Sequence, residues 1–435
     1  MIRKNIAEIL SKLNIQQLNS MQLEAMQSIQ EHSNVVVLSP TGTGKTLGFL
    51  LPILDFMEVE LEEVQTLIIV PTRELALQIE QVLRKMGTGY KVNAIYGGRT
   101  GQKDKLDLRK SPALLIGTPG RLADRIRRGD IAVNFVSTLI LDEFDKSLEI
   151  GFTEEMRQII GALPMVRRRI LTSATQKIAI PEFLQCNHPK VVNFLDREAT
   201  SQLEMKLIMA SDKDKLDTLV ATLDHLGDQP GIIFCNFKET IQRVSAFLTQ
   251  HQIAHGCFHG DMEQIDRERT LIKFRNGTLR LIVATDLAAR GLDIPEIKFI
   301  LHYQLPQKND EFIHRNGRTA RMNSAGTAYI LKGPQEDLPD FIDSLEVAKW
   351  TTTKIEYKVL WQTIFVSGGR KDKISKGDIA GLFLKQGQLS ADDLGIIEIK
   401  QDCAFVGVKA VVAEGLIALV NNTRLKKKKV RLSIV

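Results

Sequence analysis

One loop limits what this chain can fold into: Ser39-Pro40-Thr41-Gly42-Thr43-Gly44-Lys45-Thr46. Val35-Val36-Val37-Leu38 before it is short, β-branched and turn-bounded, which reads as a buried strand. Leu47 to Phe56 after it reads as a helix. Strand, glycine loop and helix together make the setting of a phosphate cradle. Gly42 and Gly44 let the backbone curl so that successive N–H groups converge on phosphate oxygens. The helix start adds its positive dipole end. On this reading Lys45 reaches the β- and γ-phosphates of a bound nucleotide and the Thr46 hydroxyl ligates Mg²⁺. Ser39 stands where the usual G-x-x-x-x-G-K-[ST] pattern has glycine. Taken alone, the stretch also permits an ordinary glycine-rich turn.

The sequence downstream supplies the complement. Thr138-Leu139-Ile140-Leu141 runs into Asp142-Glu143-Phe144-Asp145. In that pairing Asp142 holds Mg²⁺ and Glu143 orients or deprotonates the attacking water. Without the loop such an acidic cluster would read as a solvated turn. Strand candidates recur at Thr66–Val70, Val92–Tyr96, Ala113–Ile116 and Arg169–Thr172, with helices between them such as Glu74–Met86 and Gly120–Arg128. This alternation predicts a doubly wound parallel α/β sheet with its chemistry at the carboxyl ends of the strands. Asp196–Glu204 is polar and reads as a linker. A second α/β series follows, with strands at Gly231–Cys235, Leu279–Ala284, Lys298–Leu301 and Gly326–Leu331 and no phosphate loop of its own. It carries Arg315, Arg318 and Arg321, whose spacing of three suggests one helix face and arginine fingers for a γ-phosphate. A surface charge cluster is the alternative.

Charge marks off the last segment. Residues 361–435 hold 13 Lys+Arg against 7 Asp+Glu, so the whole excess of the chain, 58 against 52, lies there. A basic terminal module beside a neutral nucleotide-binding body suggests a polyanion anchor. Strands at Thr363–Val366, Ile396–Ile399, Cys403–Val408 and Val430–Ile434, with helices at Lys376–Leu384 and Lys409–Asn421, give the order β-α-β-β-α-β of a split βαβ sandwich. The four cysteines are scattered, which argues against a disulfide framework or zinc site and fits a reducing cytoplasm. No apolar run approaches the ~20 residues of a membrane span.

Taken in order, these segments resemble the DEAD-box ATP-dependent RNA helicases of superfamily 2 over about residues 1–345. The resemblance implies two tandem RecA-like domains, at 1–200 and 205–345. Gln22 then corresponds to the glutamine that reads adenine, and Thr41, Gly42, Thr43, Gly44, Lys45 and Thr46 to the phosphate loop. Pro71–Ala76 with Arg73, Gly97-Gly98-Arg99, and Thr118-Pro119-Gly120-Arg121 match the RNA-contacting loops of the first domain. Ser173-Ala174-Thr175 matches the segment coupling hydrolysis to strand separation. His259-Gly260-Asp261, Thr285, Ala289–Asp293 with Arg290, and His314–Arg321 match the second domain, where Asp293 approaches the ribose and Arg318 and Arg321 the γ-phosphate. Departures are Phe144 for alanine in the namesake tetrad, Ser39 for alanine, Gln304 for aspartate, Ala320 for glycine, and Asn5 where an adenine-stacking aromatic is usual.

The tail from Thr363 through Ile374 to Gly377-Asp378-Ile379 resembles the RNA-binding domain of DbpA-type helicases, a variant RNA-recognition motif, here at 360–435. That implies an anchor on structured ribosomal RNA of the large subunit, with Arg370, Lys371, Lys373 and the Lys426–Lys429 run on phosphates. Phe365 and Phe405 are stacking or core candidates. The expectation is a monomeric RNA-dependent ATPase and helicase, off the membrane, acting in ribosome biogenesis. A catalytically inactive RNA clamp or scaffold and a DNA-directed helicase are the alternatives.

Overall fold

The computed structural model describes residues 6–40, 42–98, 101–175, 179–195, 203–286, 297–319, 325–342, 345–348 and 359–435. They form two compact units, one ending at residue 195 and the other starting at residue 203. Thr41, Arg99, Arg290, Asp293 and Arg321 lie outside the described residues, as do Asn5 and Ala320.

In the first unit, β1 (Asn34–Leu38), β2 (Thr66–Ile69), β3 (Val92–Ile95), β4 (Leu114–Gly117), β5 (Thr138–Leu141), β6 (Arg168–Ser173) and β7 (Lys190–Asn193) make one parallel sheet in the order β3-β4-β2-β5-β6-β1-β7. Helices cover both faces, so adjacent strand residues feed opposite cores. Val35 and Val37 join one apolar cluster and Val36 the other; Ile68 and its neighbours Leu67 and Ile69 divide the same way. This is why the strands read as continuous apolar runs. The order puts β6 between β5 and β1, so the strand after the acids lies beside the strand before the phosphate loop.

The second unit begins with another parallel sheet. It is built from β8 (Leu203–Met209), β9 (Gly231–Phe234), β10 (His255–Phe258), β11 (Leu281–Ala284), β12 (Phe299–His302) and β13 (Gly326–Lys332), in the order β10-β11-β9-β12-β13-β8. β8 starts at Leu203, inside the stretch expected to be linker. Met205 and Leu207 continue its apolar alternation, and it pairs with β13 from Leu203↔Gly326 to Met209↔Lys332. The helix Asn309–Asn316 stops before Gly317. Arg318 therefore follows the helix, and the expected single arginine face is not formed.

The tail forms the expected α+β sandwich. Its strands are β14 (Trp361–Val366), β15 (Leu394–Ile399), β16 (Ala404–Lys409) and β19 (Leu432–Ile434), antiparallel in the order β15-β16-β14-β19. A small hairpin of β17 (Arg424–Leu425) and β18 (Lys428–Lys429) precedes β19. One sheet face, with Ile364, Val366, Ala404 and Val406, packs on the helices as core. The other face, with Trp361 and Thr363, meets the second α/β sheet domain. Arg275, at the end of the helix Gln264–Arg275, grips Glu398 of β15 through Nε at 2.6 Å and Nη2 at 2.9 Å. The Thr363 and Thr278 hydroxyls meet at 2.7 Å, Asn276 Nδ2 donates to Thr363 Oγ1 at 3.3 Å, and Thr363 is wholly buried. Trp361 packs over Gly277.

A fork-shaped pair at a part-buried seam leaves an expensive orphan if one partner is cut away. Glu398→Ala is expected to destabilise the second unit by about 1–3 kcal/mol. Denaturant unfolding followed by tryptophan fluorescence checks this, and an unchanged midpoint would show that the seam contributes nothing.

Candidate nucleotide and RNA sites

The phosphate loop leaves β1 and enters the helix Lys45–Ile53. Gly42 and Gly44 have φ of 88° and 81°, the left-handed region that a side chain resists. At Gly44 a Cβ would also sit 2.5 Å from Gln22 Nε2. Gln22 occupies a capping box at the start of the helix Ser20–Glu31: its N–H donates to Asn19 Oδ1 at 2.8 Å and its Oε1 accepts from Asn19 N at 3.0 Å. The same amide donates from Nε2 to the Gly44 carbonyl at 3.0 Å, and Asn19 Nδ2 donates to the Thr43 carbonyl at 2.9 Å. Asn19 and Gln22 thus clamp the loop from outside, and Gln22 is tied to the phosphate loop as well as to its own helix cap.

Inside the loop, Lys45 Nζ donates to the carbonyls of Ser39 (2.5 Å) and Pro40 (2.8 Å). The Ser39 and Thr43 hydroxyls meet at 2.7 Å, and Thr43 Oγ1 donates to Pro40 O at 3.0 Å. Ser39 is wholly buried. Its hydroxyl has a partner there, which is why serine is tolerated in that tight place.

The acids follow β5. Asp142, Glu143 and Asp145 are all buried. Glu143 has φ of 50° and starts the short helix Phe144–Glu149. Asp145 is held by Ser173 Oγ at 2.7 Å and Thr175 Oγ1 at 3.1 Å, both on Oδ2, so two hydroxyls of the Ser173-Ala174-Thr175 segment act on the last acid. Burial pushes the Asp142 and Asp145 carboxyls up from their ordinary values. The hydroxyls beside them and the charge of Lys45 pull both back down. Lys45 thus acts on acids about a hundred residues away in sequence, which joins the loop and the tetrad into one electrostatic site. Phe144 points the other way. It is 2% exposed and belongs to the core that includes Leu139, Leu141 and Leu171.

Three segments expected to touch RNA lie at the carboxyl ends of β2, β3 and β4. Arg73 opens the helix Arg73–Met86, whose first turn is capped by Thr72. Its guanidinium lies against Gly97 and Gly98; a Cβ at Gly98, where φ is 85°, would fall 2.7 Å from Arg73 Nη1. Thr118 precedes the helix Pro119–Arg127. Arg121 Nε donates to the fully buried Asp104 at 2.7 Å, and Arg125 approaches the same carboxylate at 3.4 Å. Arg121 is therefore a partly neutralised, positioned cation rather than a free one.

In the second unit Arg315 is 1% exposed. Its Nε donates to Asp286 Oδ1 at 2.6 Å, Nη1 to the Gln304 carbonyl at 2.6 Å and Nη2 to Asn236 Oδ1 at 2.7 Å. Gln304, the departure from aspartate, accepts from Asn236 N at 2.9 Å. The first arginine of the series is thus a hub that joins the ends of β9, β11 and β12, a role that spacing alone could not reveal. Arg318 is buried, and Thr285 continues the sheet by donating its N–H to Phe258 O at 3.3 Å. His302 is completely buried, which drives its pKa down to about 3 and keeps it neutral beside Arg315.

In the tail, the lysine run is not uniformly free. Lys426 pairs with Asp378 at 2.7 Å and Lys428 with Asp372 at 2.8 Å, pinning the β17–β18 hairpin to the helix Lys376–Gly381 and to the Gly369–Lys373 turn. Lys371 pairs with Asp402. Arg370, Lys373, Lys427 and Lys429 are exposed without a side-chain partner among the described residues. Phe365 and Phe405 pair across β14 and β16 with ring centres 5.7 Å apart. Phe405 is buried, so it is a packing residue.

The chain matches the DEAD/DEAH box helicase family over residues 19–183, the helicase conserved C-terminal domain over 214–323 and the DbpA RNA binding domain over 363–434. It is 30% identical to the ATP-dependent RNA helicase DbpA of Escherichia coli K12 over 439 residues, covering 98% of this chain and 96% of that one. Identity to DbpA of Bacillus subtilis is 29%, covering 99% and 98%. Among solved structures, Mss116p bound to ssRNA and AMP-PNP is 25% identical with a TM-score of 0.67 over 77% of this chain and 73% of that one. Dbp5 of S. cerevisiae bound to RNA and ADP BeF3 has the same TM-score at 24% identity, over 75% and 88%, and shares the fold.

Because the Phe144 ring fills core, restoring the family's alanine is expected to harm the protein. Phe144→Ala should cost about 3–5 kcal/mol of stability. Chemical denaturation measures it; a variant as stable as the parent would mean that the ring is not packed as described.

Proposed function

The chain belongs to the DEAD-box ATP-dependent RNA helicases, in the DbpA-like group with a C-terminal RNA-binding domain, and from that premise we propose how its residues divide the work. The observation that carries the proposal is the strand order β5-β6-β1, which sets the buried Asp142, Glu143 and Asp145 at the same sheet edge as the phosphate loop that bears Lys45. ATP binds the domain at 1–200, with Gln22 on adenine and Thr41 to Thr46 around the phosphates. Lys45 must leave the Ser39 and Pro40 carbonyls to meet the β- and γ-phosphates, so nucleotide binding opens the loop's internal bonds. Glu143 aligns and deprotonates the attacking water. Arg318 and Arg321, from the domain at 205–345, stabilise charge on the γ-phosphate, and Asp293 meets the ribose.

The donors near Lys45 suit Mg²⁺. They are oxygens, the Thr46 hydroxyl and the buried Asp142 carboxylate. Among the described residues no group of three or more His, Cys, Asp and Glu could hold a metal. A Mg²⁺ ion usually takes only one or two carboxylates and completes its shell with water and phosphate. When bound it would supply positive charge against the phosphates, held by Thr46 and Asp142.

RNA runs along backbone contacts from Arg73, Gly98, Arg99, Thr118, Arg121, Thr285 and Arg290. Bending one strand there opens a few base pairs, and each substrate favours binding of the other. The module at 360–435 anchors the enzyme to structured ribosomal RNA during large-subunit assembly in the cytoplasm, as a monomer. Support for the anchor comes from the basic excess of the tail and from its unpaired cations, Arg370, Lys373 and Lys427. Lys371 contributes once it leaves Asp402.

Purified protein should hydrolyse ATP faster with RNA than with DNA of the same sequence. Equal stimulation by DNA would favour the DNA-directed reading, and RNA binding without any stimulated hydrolysis would favour the inactive clamp. In the tail, the pair Arg370→Glu and Lys373→Glu is expected to weaken binding to a ribosomal RNA fragment and to lower the salt slope by about one per cation removed. Stimulation by unstructured RNA should stay as in the parent. An unchanged preference for the ribosomal fragment would remove the anchor from this edge.

A further inference from the structure

The strand after the acids reaches the catalytic tetrad with one more hydroxyl than the Ser173-Ala174-Thr175 segment accounts for. Thr172 sits on β6, immediately before that segment and wholly buried. Its Oγ1 donates to Asp142 Oδ1, and it accepts from the Glu143 backbone N–H at 3.1 Å. The hydroxyl thus spends its one proton on the first acid and a lone pair on the amide of the second. Glu143 holds a left-handed backbone, with φ and ψ both 50°, which a glutamate adopts only where its surroundings fix it. The hydrogen bond from its N–H is one such fixing contact. Register explains the reach: β5 and β6 run parallel with Leu141 opposite Leu171, so the next residues, Asp142 and Thr172, lie side by side.

We infer that Thr172 is a positioning residue for ATP hydrolysis: its hydroxyl aims the Asp142 carboxylate and sets the backbone from which Glu143 is presented to the attacking water. The inference rests on the proposed roles of Asp142 and Glu143 above. Fold alone does not ask for this hydroxyl. A valine has the same outline, suits a strand at least as well, and avoids burying a polar group among apolar neighbours. The hydroxyl is useful at this depth only because two polar atoms of the tetrad need it. Ser173 and Thr175 do the same for Asp145, so one strand braces the tetrad at both ends. The nucleotide loop is on the other side of β6, since Leu38 pairs with Ser173. Strand β6, which carries Thr172, therefore lies between the acids and the strand that leads into the nucleotide loop.

The test compares Thr172→Val, Thr172→Ser and Thr172→Ala in the full chain. Thr172→Val is expected to lower kcat of RNA-stimulated hydrolysis by about tenfold or more, the order of loss that follows when a reacting group is misplaced, while KM for ATP moves less than about twofold. Thr172→Ser keeps the hydroxyl and should restore kcat to within about threefold. A second readout does not use turnover. Binding of a fluorescent ADP is measured with and without Mg²⁺; the tightening given by Mg²⁺ should shrink in Thr172→Val and persist in Thr172→Ser. Should Thr172→Val fail to fold, Thr172→Ala removes the same hydroxyl without the added methyl and is read instead. Two results overturn the inference: a hydroxyl-free variant with parental kcat and parental Mg²⁺ effect, or a serine variant as impaired as the valine one. A parent without RNA-stimulated ATPase would instead defeat the functional reading, so the two failures are told apart.

Discussion

Burial of carboxylates at the end of β5 is the constraint on which the site depends. A carboxylate taken out of water is tolerated only where donors and a counter-charge replace the lost hydration. Asp142 and Asp145 receive hydroxyls from β6 and the charge of Lys45 from the loop after β1. The strand order β5-β6-β1 is what puts those three sources side by side. A parallel sheet delivers all its carboxyl ends to one edge, so residues near 40, 142 and 173 meet without any long excursion of the chain. The same edge carries Arg73, Gly98, Thr118 and Arg121 at the ends of β2, β3 and β4. The residues proposed to bind nucleotide and RNA are therefore laid along one rim of one sheet.

The second unit applies a similar economy. Arg315 ties the ends of three strands together, and a neutral, buried His302 next to it avoids a second positive charge. The C-terminal sheet then gives up part of its outer face to the Arg275–Thr278 segment. With Thr363 and Trp361 occupied there, the cations left open to a polyanion are those around the Gly369–Lys373 turn and the β17–β18 hairpin. The salt bridges from Lys426 and Lys428 serve to shape that edge, and the neighbouring unpaired cations give it charge.

Much of this was legible in the sequence because it is local. Periodicity located most strands of both parallel sheets, missing β7, β8 and β10, and the split order of the tail, and the loop and tetrad are contiguous motifs with their own chemistry. What stayed hidden needed registry between distant segments. Arg315 looked like one of three equivalent arginines until Gly317 ended the helix and Asp286 and Asn236 turned out to surround the first. The lysine run looked uniform until Asp372 and Asp378 took two of its members. Phe144 could be recognised as a departure, but only the position of the core shows that its ring faces away from the acids. Thr172 carries no motif at all, and its meaning comes from lying opposite Asp142.

The central claim is that Glu143 and Lys45 belong to one hydrolytic site, with Glu143 acting on water. The most direct measurement is RNA-stimulated ATP hydrolysis by Glu143→Gln, together with its binding of ATP and RNA. The account predicts that hydrolysis falls by about 10²–10⁴-fold, the usual contribution of a general base, while both ligands still bind. Hydrolysis at the parental rate would contradict it.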